Sequence, residues 1–413
     1  MAKPKHPVAL WFAVIAGTLV TAFMTVLLFT QPAIDRVGNP QNYTQIYQRP
    51  VIEPWGVHPL EFYVEDTLAN MTLEQKIRSL IMANQPGTDP ASLQSFVSSN
   101  ELGGFIVMGS NVPETPAELL GITSAIAGSA ELPHLIGIDE EGGLIKRLPY
   151  DTYAGADTLR NEPVSSTMTA FTSRGELLKS VGVNLNFGVV ADVSSDPQSF
   201  IYGRSFGADA AATAERVAAA VTGEDSSVMS TIKHFPGHGS APGDSHIGVP
   251  TSPLTYDQWL SSDAIPFQVG IDAGSSMVMF GHLAFPAVDS LPSSLSPLWH
   301  KILREEMGFT GVIITDDLTM LEHSHLPEYE NRVTNAVSAF AAGNDVLLYV
   351  PGPDFDAGAI VAGVAAAVHS GQISQEQLDD SVRRVLTLRR ELFPQANTWM
   401  PPCDERCFIR VTY

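Results

Sequence analysis

Cysteine is nearly absent. Only Cys403 and Cys407 occur, close together near the C-terminal end. A Cys-x-x-x-Cys pair without further ligands nearby is no zinc site, which takes four. Outside the cytoplasm the pair is expected to close a small disulfide loop. Basic residues are scarce too, 23 Lys and Arg against 45 Asp and Glu, for a formal charge of −22. Nucleic-acid binding needs a basic face that displaces counterions, and no Lys/Arg cluster provides one. No Gly-x-Gly-x-x-Gly turn follows an early strand, which argues against a dinucleotide-binding fold. Long apolar runs are missing with one exception, Val8 to Thr30. It is uncharged and long enough to span about 30 Å of hydrocarbon as a helix, whereas a signal-peptide core has about 7–15 residues. Lys3 and Lys5 precede it and no small-x-small cleavage site closes it. The expectation is a transmembrane signal anchor over 8–30, with residues 1–7 cytoplasmic and the body of the chain on the other side. A Pro-, Gln- and Asn-rich linker over 31–60 follows, and a tail over 396–413 carries the cysteines.

What is present is alternation. With 44% hydrophobic residues the chain has enough apolar material for a large core. Thr72, followed by Glu74 and Gln75 and by apolar Leu73, Ile77, Leu80 and Ile81, predicts a first helix over 72–82. Short apolar runs then end at Met108, Ile138, Ala191, Ile232, Phe280, Thr315 and Tyr349. Helical patterns separate them, over 116–130, 166–181, 208–221 and 331–342, with a last one over 375–392. Strands separated by helices pair in parallel through crossovers. Seven or eight such units over 61–395 predict an α/β fold, a (β/α)8 TIM-type barrel. Ionisable residues recur where the runs end: Asp139, Asp192, Lys233 with His234, His282 and Asp316. In a parallel barrel these points share one face, where barrel enzymes build their sites.

The stretch from Lys233 to His246 concentrates this chemistry. Pro236, Pro242 and the glycines at 237, 239 and 243 exclude a regular helix or strand. Asp244-x-His246 sets a carboxylate beside an imidazole, where it can fix the tautomer and stabilise the protonated ring. Such a pair gives and takes a proton near neutral pH. Lys233 and His234, at a strand end, suit contacts to ligand hydroxyls or amides, and His238 reads as structural. His234, His238, Asp244 and His246 could also ligate zinc, although their spacing matches no established motif. Asp316 has two readings: a nucleophile or stabiliser in the cleft, or the N-cap of a helix starting at Leu318.

Four segments carry a resemblance: Ile138-Asp139-Glu140-Glu141-Gly142-Gly143 with Arg147, Gly203-Arg204-Ser205-Phe206-Gly207, the Lys233–Pro250 loop, and Ile314-Thr315-Asp316-Asp317-Leu318 with Met320. Through them the chain resembles the bacterial β-N-acetylglucosaminidases of glycoside hydrolase family 3, over roughly residues 60–395. The resemblance implies a single-barrel enzyme that removes non-reducing terminal β-linked N-acetylglucosamine with retention, from peptidoglycan fragments or chitooligosaccharides. It makes Asp316 the nucleophile and His246 the acid/base, with Asp244 beside it. Asp139, Arg147, Arg204, Lys233 and His234 would hold the sugar in the −1 subsite, and neither cofactor nor metal is implied. With the anchor, the expected location is a bacterial inner membrane, the barrel facing the periplasmic or extracellular side. Two departures stand out. Glu140 occupies a position that is more often Gln, which adds a negative charge near the site, and Ser240-Ala241 replaces the commoner Asp-Thr. The β-glucosidases of the family place Trp where Asp317 stands and draw their acid from a second domain. This chain ends soon after the last barrel helix, so the His-rich loop is expected to supply the acid. The rival readings are a catalytically inactive, membrane-tethered binder of wall glycans and a β-glucosidase or phosphorylase of the same family.

Overall fold

The apolar runs become strands because each is short, continuous and bounded by turn residues, the pattern of a strand buried on both faces. The computed structural model describes residues 59–350, 355–394 and 396. The runs form β1 (Ile81–Ala83), β2 (Gly104–Val107), β3 (Leu135–Ile138), β4 (Leu185–Val190), β5 (Met229–Phe235), β6 (Met277–Phe280), β9 (Val312–Thr315) and β10 (Leu347–Tyr349). A two-stranded antiparallel ribbon, β7 (Ala284–Phe285) with β8 (Asp289–Pro292), lies outside them. The eight strands pair in parallel in the order β10-β1-β2-β3-β4-β5-β6-β9. The ring closes between β9 and β10 through a parallel bridge from Ile314 to Val346. Two hydrogen bonds support it: Thr315 N–H donates to the Val346 carbonyl at 3.1 Å and Leu318 N–H to that of Leu348 at 3.0 Å. This is a (β/α)8-type barrel. A Cβ at Gly137 would lie 2.6 Å from Phe187 Cε2, so glycine makes room for the ring.

Helices occupy the connections. Thr115, Asp209 and Ser374 cap three of them by accepting a first-turn backbone N–H, worth about 1 kcal/mol each. The last helix, Gln375–Glu391, buries Leu378, Val382, Val385 and Leu386. It packs on a helix that the sequence pattern does not predict, Pro59–Asn70, which begins at the end of the expected linker. Arg383 reaches Glu65 there, and the Arg390 guanidinium lies 3.8 Å from the Tyr63 ring centroid. The helix expected over 72–82 is shorter. Thr72 and Gln75 form a capping box, but the helix ends at Arg78. Ile81 to Ala83 is the eighth strand, paired with Leu347–Tyr349 on one side and with Gly104–Phe105 on the other. Three buried residues show no alternation, and their spacing continues the helical pattern by chance. Among the described residues no helix is long and apolar enough to cross a membrane. The expected anchor over 8–30, the linker up to residue 58, and Cys403 with Cys407 lie outside the described residues.

One buried carboxyl in the barrel wall gives a pH-dependent prediction. Glu224 ends the helix Ala210–Glu224 with no exposed surface, and its Oε1 accepts from Asn186 Nδ2 at 2.5 Å. Burial pushes its pKa up to about 8 from 4.5, against the pull of Asn186 and Arg174. The folded value lies above the unfolded one. Its contribution is therefore whole below pH 4.5 and is lost as pH rises through 8. Glu224→Gln should match the parent near pH 5 and exceed it by roughly 2–4 kcal/mol near pH 9. Denaturant titrations at both pH values check this.

Candidate active site

Parallel strands bring their C-terminal ends to one rim, and the ionisable residues collect there. Asp139 follows β3, Asp192 follows β4 closely, Lys233 and His234 close β5, His282 follows β6 and Asp316 follows β9. The peptide joining Lys233 to His234 is cis. Lys233 is 2% exposed. Its Nζ lies 2.7 Å from Asp139 Oδ1 and 2.7 Å from Glu141 Oε1. Arg147 Nη2 holds the other Asp139 oxygen at 3.3 Å. Arg204 grips Glu141 with two hydrogen bonds, Nε to Oε2 at 3.0 Å and Nη2 to Oε1 at 2.7 Å. Glu141, which the sequence reading gave no role, is thus the carboxylate that ties Lys233 to Arg204.

The charges resolve accordingly. Burial works to raise the Asp139 carboxyl, but Lys233 and Arg147 hold it well below the usual range. Burial likewise acts against Glu141, which Arg204 and Lys233 bring down to about 2. Both are carboxylates near neutral pH. His234 is different. Its Nε2 meets Arg204 Nη2 at 3.1 Å, and a guanidinium only donates, so Nε2 accepts. Nδ1 therefore carries the proton and donates to Asp192 Oδ2 at 2.7 Å. Burial and then Arg204 keep the ring neutral, far below its ordinary pKa. Asp192 also accepts from His238 N–H at 2.6 Å, which anchors the loop after β5. His238 is buried, with Nε2 3.2 Å from Ser245 Oγ, consistent with a structural part. A Cβ on Gly239 would sit 1.8 Å from the Val193 carbonyl oxygen, so only glycine lets the loop pack this closely.

Asp316 is half-buried at the end of β9, and its Oδ1 accepts the Asp317 N–H at 2.8 Å. Burial raises its pKa, but His234, His282, the Asp317 N–H and Lys233 outweigh that and leave it below its ordinary value. It caps no helix. The capping role falls to Asp317, whose Oδ1 accepts from Thr319 N–H at 3.0 Å and Val350 N–H at 2.9 Å. His282 Nε2 donates to the Asp317 carbonyl at 2.9 Å and its Nδ1 accepts from Ser294 Oγ at 2.7 Å. Burial keeps this imidazole neutral.

The Asp244–His246 pair forms as expected, with Nδ1 2.7 Å from Asp244 Oδ1. It sits apart from the buried cluster, the His246 side chain 57% exposed and Asp244 35% exposed. No hydrogen bond or ion pair joins it to Asp316 among the described residues. Phe200 borders it, with ring centroids 5.4 Å apart. The zinc reading of the loop finds no support in geometry, since His234 is committed to Asp192 and Arg204. No group of three or more metal-competent side chains occurs among the described residues. Glu140 adds no charge at the mouth. It is fully buried, and its Oε2 accepts from Arg147 N–H at 2.8 Å and Leu148 N–H at 3.1 Å. Burial, with Asp151 beside it, raises it far above the usual carboxylate range, so it is protonated near pH 7.

A barrel with buried carboxylates, paired cations and an exposed Asp–His pair at its C-terminal rim has the make-up of a glycosidase-type site. Residues 72–388 match the model of the glycosyl hydrolase family 3 N-terminal domain. The chain belongs to glycosyl hydrolase family 3, and within it is similar to β-hexosaminidases. It is 31% identical over 316 residues to the β-hexosaminidase LpqI of Mycobacterium tuberculosis, covering 73% of this chain and 79% of that one. Beta-hexosaminidase A of Pseudoalteromonas piscicida is 30% identical over 345 residues, covering 75% of this chain and 56% of that enzyme. The chain thus spans little more than half the length of that relative. Among solved structures, a family 3 β-N-acetylglucosaminidase from Paenibacillus sp. FPU-7 superposes with a TM-score of 0.72 at 32% identity, over 81% of this chain and 65% of that one.

Proposed function

We propose that this chain is a retaining exo-β-N-acetylhexosaminidase acting on oligosaccharides with a terminal β-linked N-acetylglucosamine. The observation that carries the reading is Asp316. It is a half-buried carboxylate at the barrel mouth, held below its ordinary pKa by His234, His282, the Asp317 N–H and Lys233. Asp139, Arg147, Arg204, Lys233 and His234 take the sugar hydroxyls and amide in the −1 subsite. Their charges pair with one another, so each is already oriented when the sugar arrives. Asp316 attacks C1 while His246 gives its proton to the departing oxygen. The Asp244 carboxylate holds Nδ1 and leaves Nε2 to face the substrate. A covalent glycosyl-enzyme results. His246, now neutral, takes a proton from water, which attacks C1 from the face the leaving group left and breaks the bond to Asp316, freeing its carboxylate. Retaining glycosidases usually divide these roles between two carboxylates. An exposed pair on a Gly- and Pro-rich loop can instead close over the sugar after binding. The substrates that fit this reading are peptidoglycan fragments and chitooligosaccharides. The apolar run over 8–30 would tether the barrel to a bacterial membrane, on its outer side.

The test is hydrolysis of 4-nitrophenyl N-acetyl-β-D-glucosaminide beside the corresponding β-glucoside. The expected result is release from the first, with the β-anomer as initial product. His246→Ala should lower kcat by about 10²–10⁴-fold, the usual share of general acid–base catalysis. Release from the glucoside alone, or an α-anomer as first product, would overturn the proposal.

A further inference from the structure

The Asp244–His246 pair and the charged sugar cluster share no hydrogen bond, yet one side chain touches both. Phe200 lies on the loop between β4 and the helix Ala210–Glu224. Ile201, fully buried, anchors that loop beneath it, and Ser199 N–H donates to the Asp196 carbonyl while Tyr202 N–H donates to that of Ser199. The half-buried Phe200 ring meets three partners. The His246 ring stands edge-on to it, centroids 5.4 Å apart at 69°. The His238 ring is 5.6 Å away at 45°. The Arg204 guanidinium carbon lies 5.4 Å from its centroid. Arg204 is itself fixed by Glu141 and His234.

We propose that Phe200 is a positioning residue that sets the plane of the His246 imidazole relative to the sugar held by Arg204. Asp244 restrains Nδ1 from one side of the ring. A single hydrogen bond leaves the imidazole free to swing about it, and the ring is more than half exposed. The edge-to-face contact with Phe200 restricts that freedom, because such geometry is one of the two that aromatic pairs favour over a face-to-face sandwich. The Arg204 guanidinium over Phe200 fixes this surface to the −1 subsite. Glu141 and His234, which hold Arg204, thereby hold the surface on which the acid rests. Nothing in the sequence spacing pointed to Phe200, since it follows an Asp-Pro-Gln-Ser turn and belongs to no charged motif.

This inference rests on the acid/base reading of His246, and the test separates the two. Two substrates are compared by kcat/KM, which covers only the steps up to glycosyl transfer. Diacetylchitobiose has a leaving oxygen that needs a proton, whereas 2,4-dinitrophenyl N-acetyl-β-D-glucosaminide releases a phenolate unaided. Phe200→Leu should lose about 10²-fold on the disaccharide and less than about threefold on the dinitrophenyl substrate, the pattern of His246→Ala in weaker form. Phe200→Tyr, which keeps the ring, should restore the disaccharide rate. Equal losses on both substrates, or no loss on the disaccharide, would overturn the positioning role. If His246→Ala itself shows no dependence on the leaving group, the acid/base assignment fails instead. Should Phe200→Leu not fold, Phe200→Met carries the same comparison.

Discussion

Asp316→Asn is expected to lower kcat/KM on an aryl N-acetyl-β-D-glucosaminide by at least about 10⁴-fold, the scale of losing a nucleophile. The substitution keeps the shape and the Oδ1 that accepts the Asp317 N–H. It removes the negative charge that can bond to C1. Asp316 makes no structural ion pair and caps no helix, so the fold loses little. The thermal midpoint should stay within a few degrees of the parent. KM should change far less than kcat, because hydroxyl recognition belongs to Asp139, Arg147, Arg204, Lys233 and His234 in the reading proposed above. Asp317→Asn makes the useful contrast. It weakens the hydrogen bonds that Asp317 accepts from Thr319 and Val350 N–H, and should cost stability before chemistry. Steady-state kinetics and calorimetry on both variants check the pair.

Lys233→Met should act on stability and activity together. The ammonium is buried against Asp139 and Glu141 at 2.7 Å each. Methionine fills a similar volume but leaves the buried Glu141 and the half-buried Asp139 short of a partner. Breaking a buried pair by removing one member costs about 3–5 kcal/mol, or a midpoint lower by about 5–10 °C in a domain of this size. The sign of its pH dependence follows from the depressed carboxyls. Lys233 helps to lower the folded pKa of Glu141 to about 2 from 4.5. The stability that it supplies is present above the unfolded value and is lost as pH falls through the folded one. The gap between parent and variant should therefore be full at pH 7 and narrow below pH 4.5. Calorimetric scans at pH 7 and pH 4 measure it. A gap that widens toward acid would contradict the pairing.

How much of this was legible in the sequence depended on whether position in the chain or position in space decided the role. Asp139, Lys233, His234 and Asp316 each end an apolar run, so strand periodicity alone placed them at one rim. The Asp244–His246 hydrogen bond was legible because both partners sit in one short stretch. Glu141 was not, since its partners are Arg204, 63 residues away, and Lys233 at the end of β5. Asp192 had the right place in the chain, but only the fold shows that it accepts from both His234 and His238. Glu140 misled. A second acidic side chain after Asp139 looked like added charge, yet adjacent residues leave a strand in different directions and this one turns into the wall. β1 was hidden because three buried residues carry no period of their own.

The central claim is that Asp316 forms a covalent bond to the sugar. Incubation with a fluorinated N-acetylglucosaminyl fluoride, followed by peptide mass mapping, addresses it directly. The prediction is one added sugar on the peptide containing Asp316, absent from Asp316→Asn. A label on another residue, or turnover with the inverted anomer and no adduct, would contradict it.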